Sequence, residues 1–297
     1  MEIRQLRQFL AVVEFGNLGR AAESLRITTP AISKSLANLE AELGVRLADR
    51  GSKGVTPTVF GESLARHARA MLAEVQHASD DIALLQGAGQ GRIAVGGTAS
   101  AGSTLLVRAI AALAKDRPGI RIEVIGGRHE TLVEALRNGV LDVVVTGFGP
   151  GSPDPDLDER VLAEDAYAVV VGGDHALARR RKVLLGDLMS FPWVVASNIA
   201  EVVPGWARTF TDQGLTPPQP TIASDSYLFI KSILDEGDFL AVLPRDVINA
   251  DDAVRAFSIL KIDNVSWARR VRAVTRARGT RPPAVGFLLE TLTKLAA

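Results

Sequence analysis

The sequence predicts an α/β protein that begins with a small all-α unit followed by one long helix. Two short amphipathic helices joined by a tight turn are indicated within residues 17–50. An apolar heptad repeat without proline covers residues 58–86. From residue 92 onwards, short apolar runs alternate with amphipathic segments, the pattern of a parallel α/β region.

Composition narrows the classes of protein to consider. With 297 residues, 47% of them hydrophobic, the chain can bury more than one core. It contains no cysteine, which excludes disulfides, thiolate metal sites and cysteine nucleophiles. We find no signal peptide and no run of about 18 apolar residues, so we expect a cytoplasmic protein with no membrane partner. No metal site and no cofactor are predicted.

The first region should contain three helices. The first runs from Ile3 to Phe15, and the second carries Ala21, Ala22 and Leu25 on one side. The third begins at the hydroxyl residues and proline of 28–30 and ends at Gly44. Its apolar residues are Ile32, Leu36, Leu39 and Leu43, with 4-3-4 spacing. A helix pair of this kind is a helix-turn-helix, although any small helical bundle contains similar pairs.

The outward side chains of the third helix suit a DNA major groove. Thr29, Pro30, Ser33 and Lys34 face away from its apolar stripe, and hydroxyl and cationic groups can contact base edges and phosphates. The net charge is zero, and residues 1–58 hold only eight Lys or Arg against six acids. The positions of the basic residues matter more for DNA binding than the net charge. Arg50 and Lys53 lie in a glycine-rich hairpin that would form a wing against the DNA backbone, unless each is only a solvated charge.

The long helix should carry a dimer interface. Its apolar seam consists of Phe60, Leu64, His67, Met71, Ala78, Ile82 and Leu85, at heptad spacing. Because no second helix is nearby in sequence, the seam is expected to meet the same helix of another subunit. Phe60, Leu64, Met71 and Ile82 are the predicted dimerisation residues, and we interpret His67 as a packing residue. Glycines at 87, 89 and 91 should then end the helix in a linker.

The remaining α/β region should fold into two lobes. Its predicted strands are 92–96, 120–125, 141–146, 166–171, 193–196, 221–223, 239–243 and 269–275, and its predicted helices are 103–115, 130–138, 201–213, 227–235 and 283–295. The first lobe is about residues 92–161 and 267–297, and the second about 162–266. The connections at 160–164 and 264–268 should act as a hinge.

Ligands of two-lobed α/β folds sit at the carboxyl ends of strands. The loops there supply Thr98 and Ser100 as hydroxyl donors, Phe148 and Val203 as an apolar wall and Ser224 from the opposite lobe. Arg128 could pair with an acidic ligand or equally with a neighbouring acid on the surface. We therefore expect a small, carboxylate-bearing effector.

Two enzyme-like motifs surround Ser100, and neither is complete. The glycine spacing of 97–104 matches a phosphate-binding loop, but Ser103 stands at the lysine position. The nucleophile elbow Gly-x-Ser-x-Gly has Thr98 at its first glycine, and no histidine is placed as a base. The alternatives for this stretch are an anion cradle or a plain helix cap.

Several of these segments resemble the LysR-type transcriptional regulators. The resemblance starts at Met1 and rests on Ala21-Ala22, the run from Thr28 to Lys34, the run from Leu39 to Leu47 and Arg50, together with Gly139-x-Leu-Asp142 further on. It implies a winged helix-turn-helix, a dimerising linker helix and an effector domain like a periplasmic binding protein. The DNA-binding residues it suggests are Arg20, Thr28, Thr29, Pro30, Ser33, Lys34, Arg50 and Lys53.

Three positions depart from the family pattern. Gly19 stands where a hydroxyl residue usually caps a helix, and Thr29 where glutamine is frequent, which alters the expected operator. Ala48 replaces a usual phenylalanine, so a void is expected unless Val55 or Phe60 fills it.

We accordingly expect a transcriptional regulator, not an enzyme. Its domains should be 1–58 (DNA binding), 59–88 (linker helix) and 89–297 (effector binding). Its expected partners are double-stranded DNA with paired half-sites, a small-molecule effector and further copies of itself, as a homodimer and by resemblance a homotetramer, with RNA polymerase a further partner. The alternative is a small-molecule receptor or enzyme whose N-terminal region serves only for association.

Overall fold

A computed structural model describes residues 1–51, 54–85, 91–102, 104–148, 154–197, 199–249, 257–263, 265, 267–277, 279 and 281–296. Within these ranges no helix combines the length and apolarity needed to cross a membrane. The same residues contain no group of three or more His, Cys, Asp or Glu arranged to hold a metal ion.

The N-terminal unit is a three-helix core with a two-stranded hairpin. Its elements are α1 (Ile3–Phe15), α2 (Leu18–Ser24), α3 (Thr29–Leu43), β1 (Ala48–Gly51) and β2 (Gly54–Pro57). The hydroxyl of Thr28 accepts a hydrogen bond from the backbone N–H of Ala31, which starts α3. Gly44 ends the helix at φ 69°, a left-handed conformation that favours glycine. Ile32, Leu36 and Leu39 are buried as predicted, whereas Leu43 is 40% exposed.

The structure explains two of the departures from the family pattern. Asn17 caps α2 by accepting from the Arg20 N–H, so the cap expected at Gly19 lies two residues earlier. Ala48 is buried in the same core cluster as Val55. Phe60 is 54% exposed and does not enter this core. Of the two residues predicted to fill the space beside Ala48, only Val55 belongs to this core.

The long helix α4 (Val59–Leu85) starts directly after the hairpin and packs closely on it. Thr58 caps the helix, because its hydroxyl accepts from the Gly61 N–H at 3.1 Å. A Cβ atom at Gly61 would lie only 1.9 Å from the carbonyl oxygen of Leu47. Glycine at position 61 is thus what lets the helix approach the chain leading into the wing.

The C-terminal region contains a nine-stranded sheet among the described residues. Its strands are β3 (Gly91–Gly97), β4 (Ile120–Gly126), β5 (Val143–Thr146), β6 (Leu157–Gly172), β7 (Trp193–Val195), β8 (Ile222–Ala223), β9 (Leu240–Pro244), β10 (Phe257–Ile259) and β11 (Trp267–Arg276). The order is β4-β3-β5-β11-β6-β9-β7-β8, with β10 paired to β6. Strands β3, β4 and β5 are parallel, as are β7, β8 and β9.

The helices of this region surround the sheet. They are α5 (Ala99–Gly102), α6 (Leu105–Asp116), α7 (His129–Arg137), α8 (Ile199–Val202), α9 (Trp206–Thr211), α10 (Tyr227–Ile233), α11 (Arg245–Asn249) and α12 (Pro283–Ala296), with a 3-10 helix at Leu185–Ser190. The single helix predicted for 201–213 was wrong, because Pro204 and Gly205 separate α8 from α9 and Gly205 has φ 84°. The helix predicted from Ser103 begins instead at Leu105, after the short α5.

Two lobes share one pair of strands. In the first lobe, β3, β5, α6 and α12 enclose a core that includes Val95, Leu106 and Leu288. In the second, β7 and β9 pack with α9 around Trp193, Trp206 and Phe210. Strands β6 and β11 run antiparallel between the lobes, with a register shift between Val271 and Arg272. The predicted hinge lies along these strands, with segment 160–164 inside β6 and Trp267 and Ala268 at the start of β11.

The close approach at Gly61 predicts a localised loss of stability. In Gly61→Ala the new methyl would clash with a backbone oxygen, and overpacking of this kind costs about 1–3 kcal/mol. We expect a lower temperature for thermal unfolding of the N-terminal unit, followed by circular dichroism. Gly51→Ala is the matched control, because a Cβ there has no neighbour within 4 Å. Equal unfolding temperatures in the two variants would contradict this account of the helix–wing contact.

Candidate nucleic-acid interface and effector cleft

The N-terminal end of α3 presents a polar, solvent-exposed surface. Thr28, Thr29, Pro30 and Lys34 are exposed and Ser33 is half-buried. The opposite face of α3 contains the buried apolar stripe, so this end of the helix can enter a groove without disturbing the core. The arrangement is what a recognition helix requires.

The wing and the recognition helix are in direct contact. Arg50 on β1 donates from Nη2 to the hydroxyl of Ser33 at 3.3 Å. Glu40 on α3 accepts from the backbone N–H groups of Leu47 and Ala48, which fixes where the wing begins. Two predicted DNA-binding residues, one from each element, therefore lie side by side.

Arg20 and Lys53 are the two remaining predicted cations of this surface. Arg20 is exposed and lies over the ring of Phe15, 5.7 Å from its centroid. Lys53 lies outside the described residues. The exposed cations at positions 20, 34 and 50 give this face of the N-terminal unit a set of groups suited to phosphate oxygens.

Arg50→Ala should weaken binding to every duplex and reduce the salt slope by about 1, because a phosphate contact is lost. Thr29→Ala or Ser33→Ala should instead change the preference among sequences. Binding is measured by fluorescence anisotropy at several salt concentrations. Arg92→Ala is the control, since Arg92 is an exposed cation paired with Glu123 in the C-terminal region. An Arg50→Ala protein with the wild-type slope would show that the wing does not contact phosphates.

The seam of α4 is partly as predicted. Phe60, Met71, Val75 and Ile82 expose 54%, 40%, 41% and 57% of their surface and lie on one side of the helix. Val75 was missed by the sequence analysis.

Leu64 differs from the prediction, because it is half-buried against the N-terminal core. His67 is exposed, and its packing against a second subunit stays a prediction. The exposed apolar side chains form a surface that a second copy of the helix would cover.

Met71→Glu should dissociate the oligomer, because a carboxylate without a partner would be buried in the seam. Sedimentation velocity should show a lower mass at the same protein concentration. Ser79→Glu places the same charge on an exposed position of α4 outside the seam and should leave the mass unchanged. Equal masses for the two variants would exclude this face as the interface.

A cleft lies between the lobes at the carboxyl ends of the strands, as predicted. It contains a cavity of about 80 Å³ that opens to the solvent. The residues that line it are Thr98, Ala99, Ser100, Gly127, Arg128, His129, Glu130 and Phe148 from the first lobe, and Ala196, Val202, Asp225 and Tyr227 from the second. Four of the six predicted effector residues, Thr98, Ser100, Arg128 and Phe148, come together there.

The hydroxyl of Thr98 is the most informative group in the cleft. Thr98 is 3% exposed, and its Oγ1 has no hydrogen-bond partner within the described part of the chain. Its backbone N–H is satisfied by the carbonyl of Val145. A buried hydroxyl without a partner costs free energy, and such a group in a cleft is suited to a ligand. Ser100 is also buried, and its side chain hydrogen-bonds the phenol of Tyr227 across the cleft.

The rim and one wall of the cleft carry ionisable groups. Arg128 lies 3.7 Å from Glu130 and 3.9 Å from Asp225 of the opposite lobe, and all three are exposed. His129 is hydrogen-bonded to Thr146 at 3.2 Å and stacks on Phe148 with centroids 5.7 Å apart. Burial lowers the pKa of His129, with the charge of Glu130 acting against it. Its ring therefore favours the neutral form beside the aromatic wall.

Two predicted effector residues occupy other places. Val203 is fully buried in the core of the second lobe, because α8 turns its neighbour Val202 toward the cleft instead. Ser224 accepts from the Ser226 N–H and so supports the loop, while Asp225 reaches the lining. In both cases the residue that lines the cleft is the immediate neighbour of the predicted one.

A buried ionic cluster beneath the cleft was not predicted. Arg269 on β11 donates to Asp165 of β6 at 2.9 Å and to Asp246 of α11 at 3.1 Å. A Cβ at Gly147 would lie 2.8 Å from Nη1 of Arg269 and 3.3 Å from Oγ of Ser100, which places the guanidinium next to the cleft floor. Burial raises the pKa of Asp246, and Arg269 opposes this.

Tyr227 lies next to this cluster and was also missed. Burial raises the pKa of its phenol, so the hydroxyl facing Ser100 stays protonated. Burial alone would lower the pKa of Arg269, but Asp246, Tyr167 and Asp165 outweigh it and the pKa is raised. The signal for both residues is spatial, since they meet partners far away in sequence.

Two family models match the chain. The bacterial regulatory helix-turn-helix protein, lysR family, matches residues 3–62, and the LysR substrate binding domain matches residues 86–297. The SDS degradation transcriptional activation protein of Pseudomonas sp. (strain ATCC 19151) is 28% identical over 288 residues, 95% of this chain and 92% of that protein. The regulator GbpR of Azospirillum brasilense is 30% identical over 247 residues, 82% and 72% of the two chains.

Solved structures share the fold over the whole chain. Full-length OxyR from Pseudomonas aeruginosa superposes with a TM-score of 0.73 at 22% identity, covering 100% of this chain and 96% of that one. Full-length CbnR in complex with its target DNA superposes with a TM-score of 0.69 at 21% identity, covering 100% of both chains. The N-terminal unit, the long helix and the C-terminal lobes thus occur together in known regulators.

Proposed function

The chain belongs to the LysR family of transcriptional regulators, and from that premise we propose that its DNA binding responds to a small carboxylate-bearing effector held between the two lobes. Family membership makes it a DNA-binding regulator with an effector-binding domain. The class of effector and the residues that hold it are our inference. The buried hydroxyl of Thr98, which has no partner in the described structure, is the observation that carries this inference.

The chemistry of the cleft favours an acid. Thr98 offers a hydroxyl donor, Ser100 adds a second hydroxyl that is already bonded to Tyr227, and the N-terminal end of α7 adds backbone N–H groups whose dipole favours negative charge. Phe148 and the neutral ring of His129 offer a flat apolar wall for the rest of the molecule. Arg128 at the rim has acidic neighbours, and its exposed ion pairs with them compete with a direct contact to the effector.

We propose a separate function for each of the three predicted domains. Residues 1–58 bind DNA through Arg20, Thr28, Thr29, Pro30, Ser33, Lys34, Arg50 and Lys53, residues 59–88 join two subunits, and residues 89–297 bind the effector. A single helix-turn-helix reads only a few base pairs, so we propose paired half-sites with two-fold symmetry, bound by a homodimer or homotetramer in the cytoplasm. No catalytic step is proposed for the cleft.

The operator can be found by selecting genomic DNA fragments on the wild-type protein and sequencing them. The proposal expects a small set of fragments with an inverted repeat, bound more weakly as salt rises. Recovery of fragments at random would contradict sequence-specific binding. The selected fragment is also the DNA probe for further experiments.

The effector site is tested with Thr98→Val, which removes the hydroxyl and keeps the shape. Small carboxylic acids are first screened for a change in tryptophan fluorescence, because Val202 in the cleft packs in the same core as Trp206. Affinity for the acid found should fall about 10- to 100-fold, the loss of a hydrogen bond to a charged group.

Two controls make this test specific. Thr98→Ser keeps the hydroxyl and should bind like the wild type. Thermal stability of Thr98→Val without ligand should not fall, because its hydroxyl makes no hydrogen bond within the described chain. Wild-type affinity in Thr98→Val would move the effector site elsewhere.

A further inference from the structure

The linker helix α4 has a second contact face, distinct from its seam. Ala70, Ala73 and His77 lie along one side of the helix, roughly 140° from the seam residues Met71 and Ile82 at about 100° per residue. On the part of this helix that is C-terminal to Arg69, His77 is the only buried side chain among those that the structure describes. This second face packs on the first lobe.

The contact centres on two buried polar side chains. Nε2 of His77 lies 2.8 Å from Oδ1 of Asp142, and each side chain is 8% exposed. A carboxylate only accepts, so the imidazole N–H donates. Glu74 lies 3.9 Å from the other ring nitrogen, and Arg276 lies 3.8 Å from Oδ1 of Asp142. A buried hydrogen bond of this kind has a fixed geometry, unlike an exposed ion pair.

Close backbone packing holds the same contact. A Cβ at Gly139 would lie 2.9 Å from Cβ of Ala73 and 3.4 Å from Cα of Ala70. Gly139 also has φ 72°, which favours glycine. The Gly-x-Leu-Asp element noted in the sequence therefore acts as a unit, since its glycine admits the helix and Asp142 binds it.

Asp142 is connected to the cleft through the sheet. Its Oδ2 accepts from the N–H of Ala94 on β3 at 2.8 Å, and its own N–H donates to the Ala94 carbonyl at 2.8 Å. Thr98 in the cleft lining lies four residues after Ala94, directly beyond the end of β3. One carboxylate thus binds the strand that leads to the effector site and the helix that leads to DNA.

We propose that the His77–Asp142 contact is the joint through which the first lobe and the linker helix transmit the state of the cleft to the DNA-binding unit. His77 and Asp142 are positioning residues, because neither touches DNA or the cleft lining. The inference rests on the proposed function, since it supposes that occupancy of the cleft matters for DNA binding. By reciprocity, DNA binding must alter the first lobe through the same joint.

This reciprocity allows a test without the effector. Hydrogen exchange of the amides at 92–98 is followed in the full-length protein, with and without the genomic DNA fragment that it selects. In the wild type, DNA should change exchange at these amides by about fivefold or more, the low end of allosteric coupling. His77→Ala should still bind the fragment with an unchanged salt slope but lose this change. His77→Gln, which keeps a donor, should retain it.

Two further variants separate coupling from damage to the fold. Ala73→Leu places a large side chain against Gly139, so it should also abolish the DNA-induced change while leaving His77 intact. Ser79→Ala, whose hydroxyl bonds the Val75 carbonyl of its own helix, should behave as wild type. The proposal is overturned if His77→Ala keeps the wild-type change, if His77→Gln loses it, or if the wild type shows none. Failure to find a carboxylate effector affects only the proposed function.

Discussion

The antiparallel pair of β6 and β11 is the constraint on which the C-terminal region depends. Both lobes are built on this ladder, and Arg269 binds it together from the inside. Its guanidinium contacts Asp165 on β6 and Asp246 on α11, and Asp246 in turn accepts from Thr104 of the first lobe at 3.0 Å. A buried guanidinium is stable only with such partners, so breaking the contacts of Arg269 would leave buried charges unpaired.

The elements that could be predicted from sequence are those whose ends carry local signals. The bounds of α1 are those expected, and α3 runs between a capping hydroxyl at Thr28 and a left-handed Gly44. The helix at 201–213 failed because its apolar spacing continues across Pro204 and Gly205 although the backbone does not. Apolar periodicity indicates which face of a helix is buried. Where the helix ends is indicated only by helix-breaking residues such as proline and glycine.

The candidate site was predictable at the level of loops and not at the level of all side chains. Strand ends in a parallel sheet must converge, which brought Thr98, Arg128 and Phe148 together. The turn of α8 decides which of two adjacent valines faces the cleft, so Val202 lines it where Val203 was expected. Arg269 could not be found at all, because its partner Asp165 is 104 residues away and no local pattern connects them.

The linker helix shows how a small movement in the lobes can reach DNA. Its seam residues and its lobe-contacting residues occupy different sides, so both surfaces can be engaged at once. Gly61 presses the start of the same helix against the chain that enters the wing, where a displaced helix must move Leu47 and the hairpin with it. Packed elements of this kind shift as rigid bodies and do not deform continuously. A rotation imposed on α4 by the first lobe would therefore change the separation of two recognition helices without altering either DNA-binding surface.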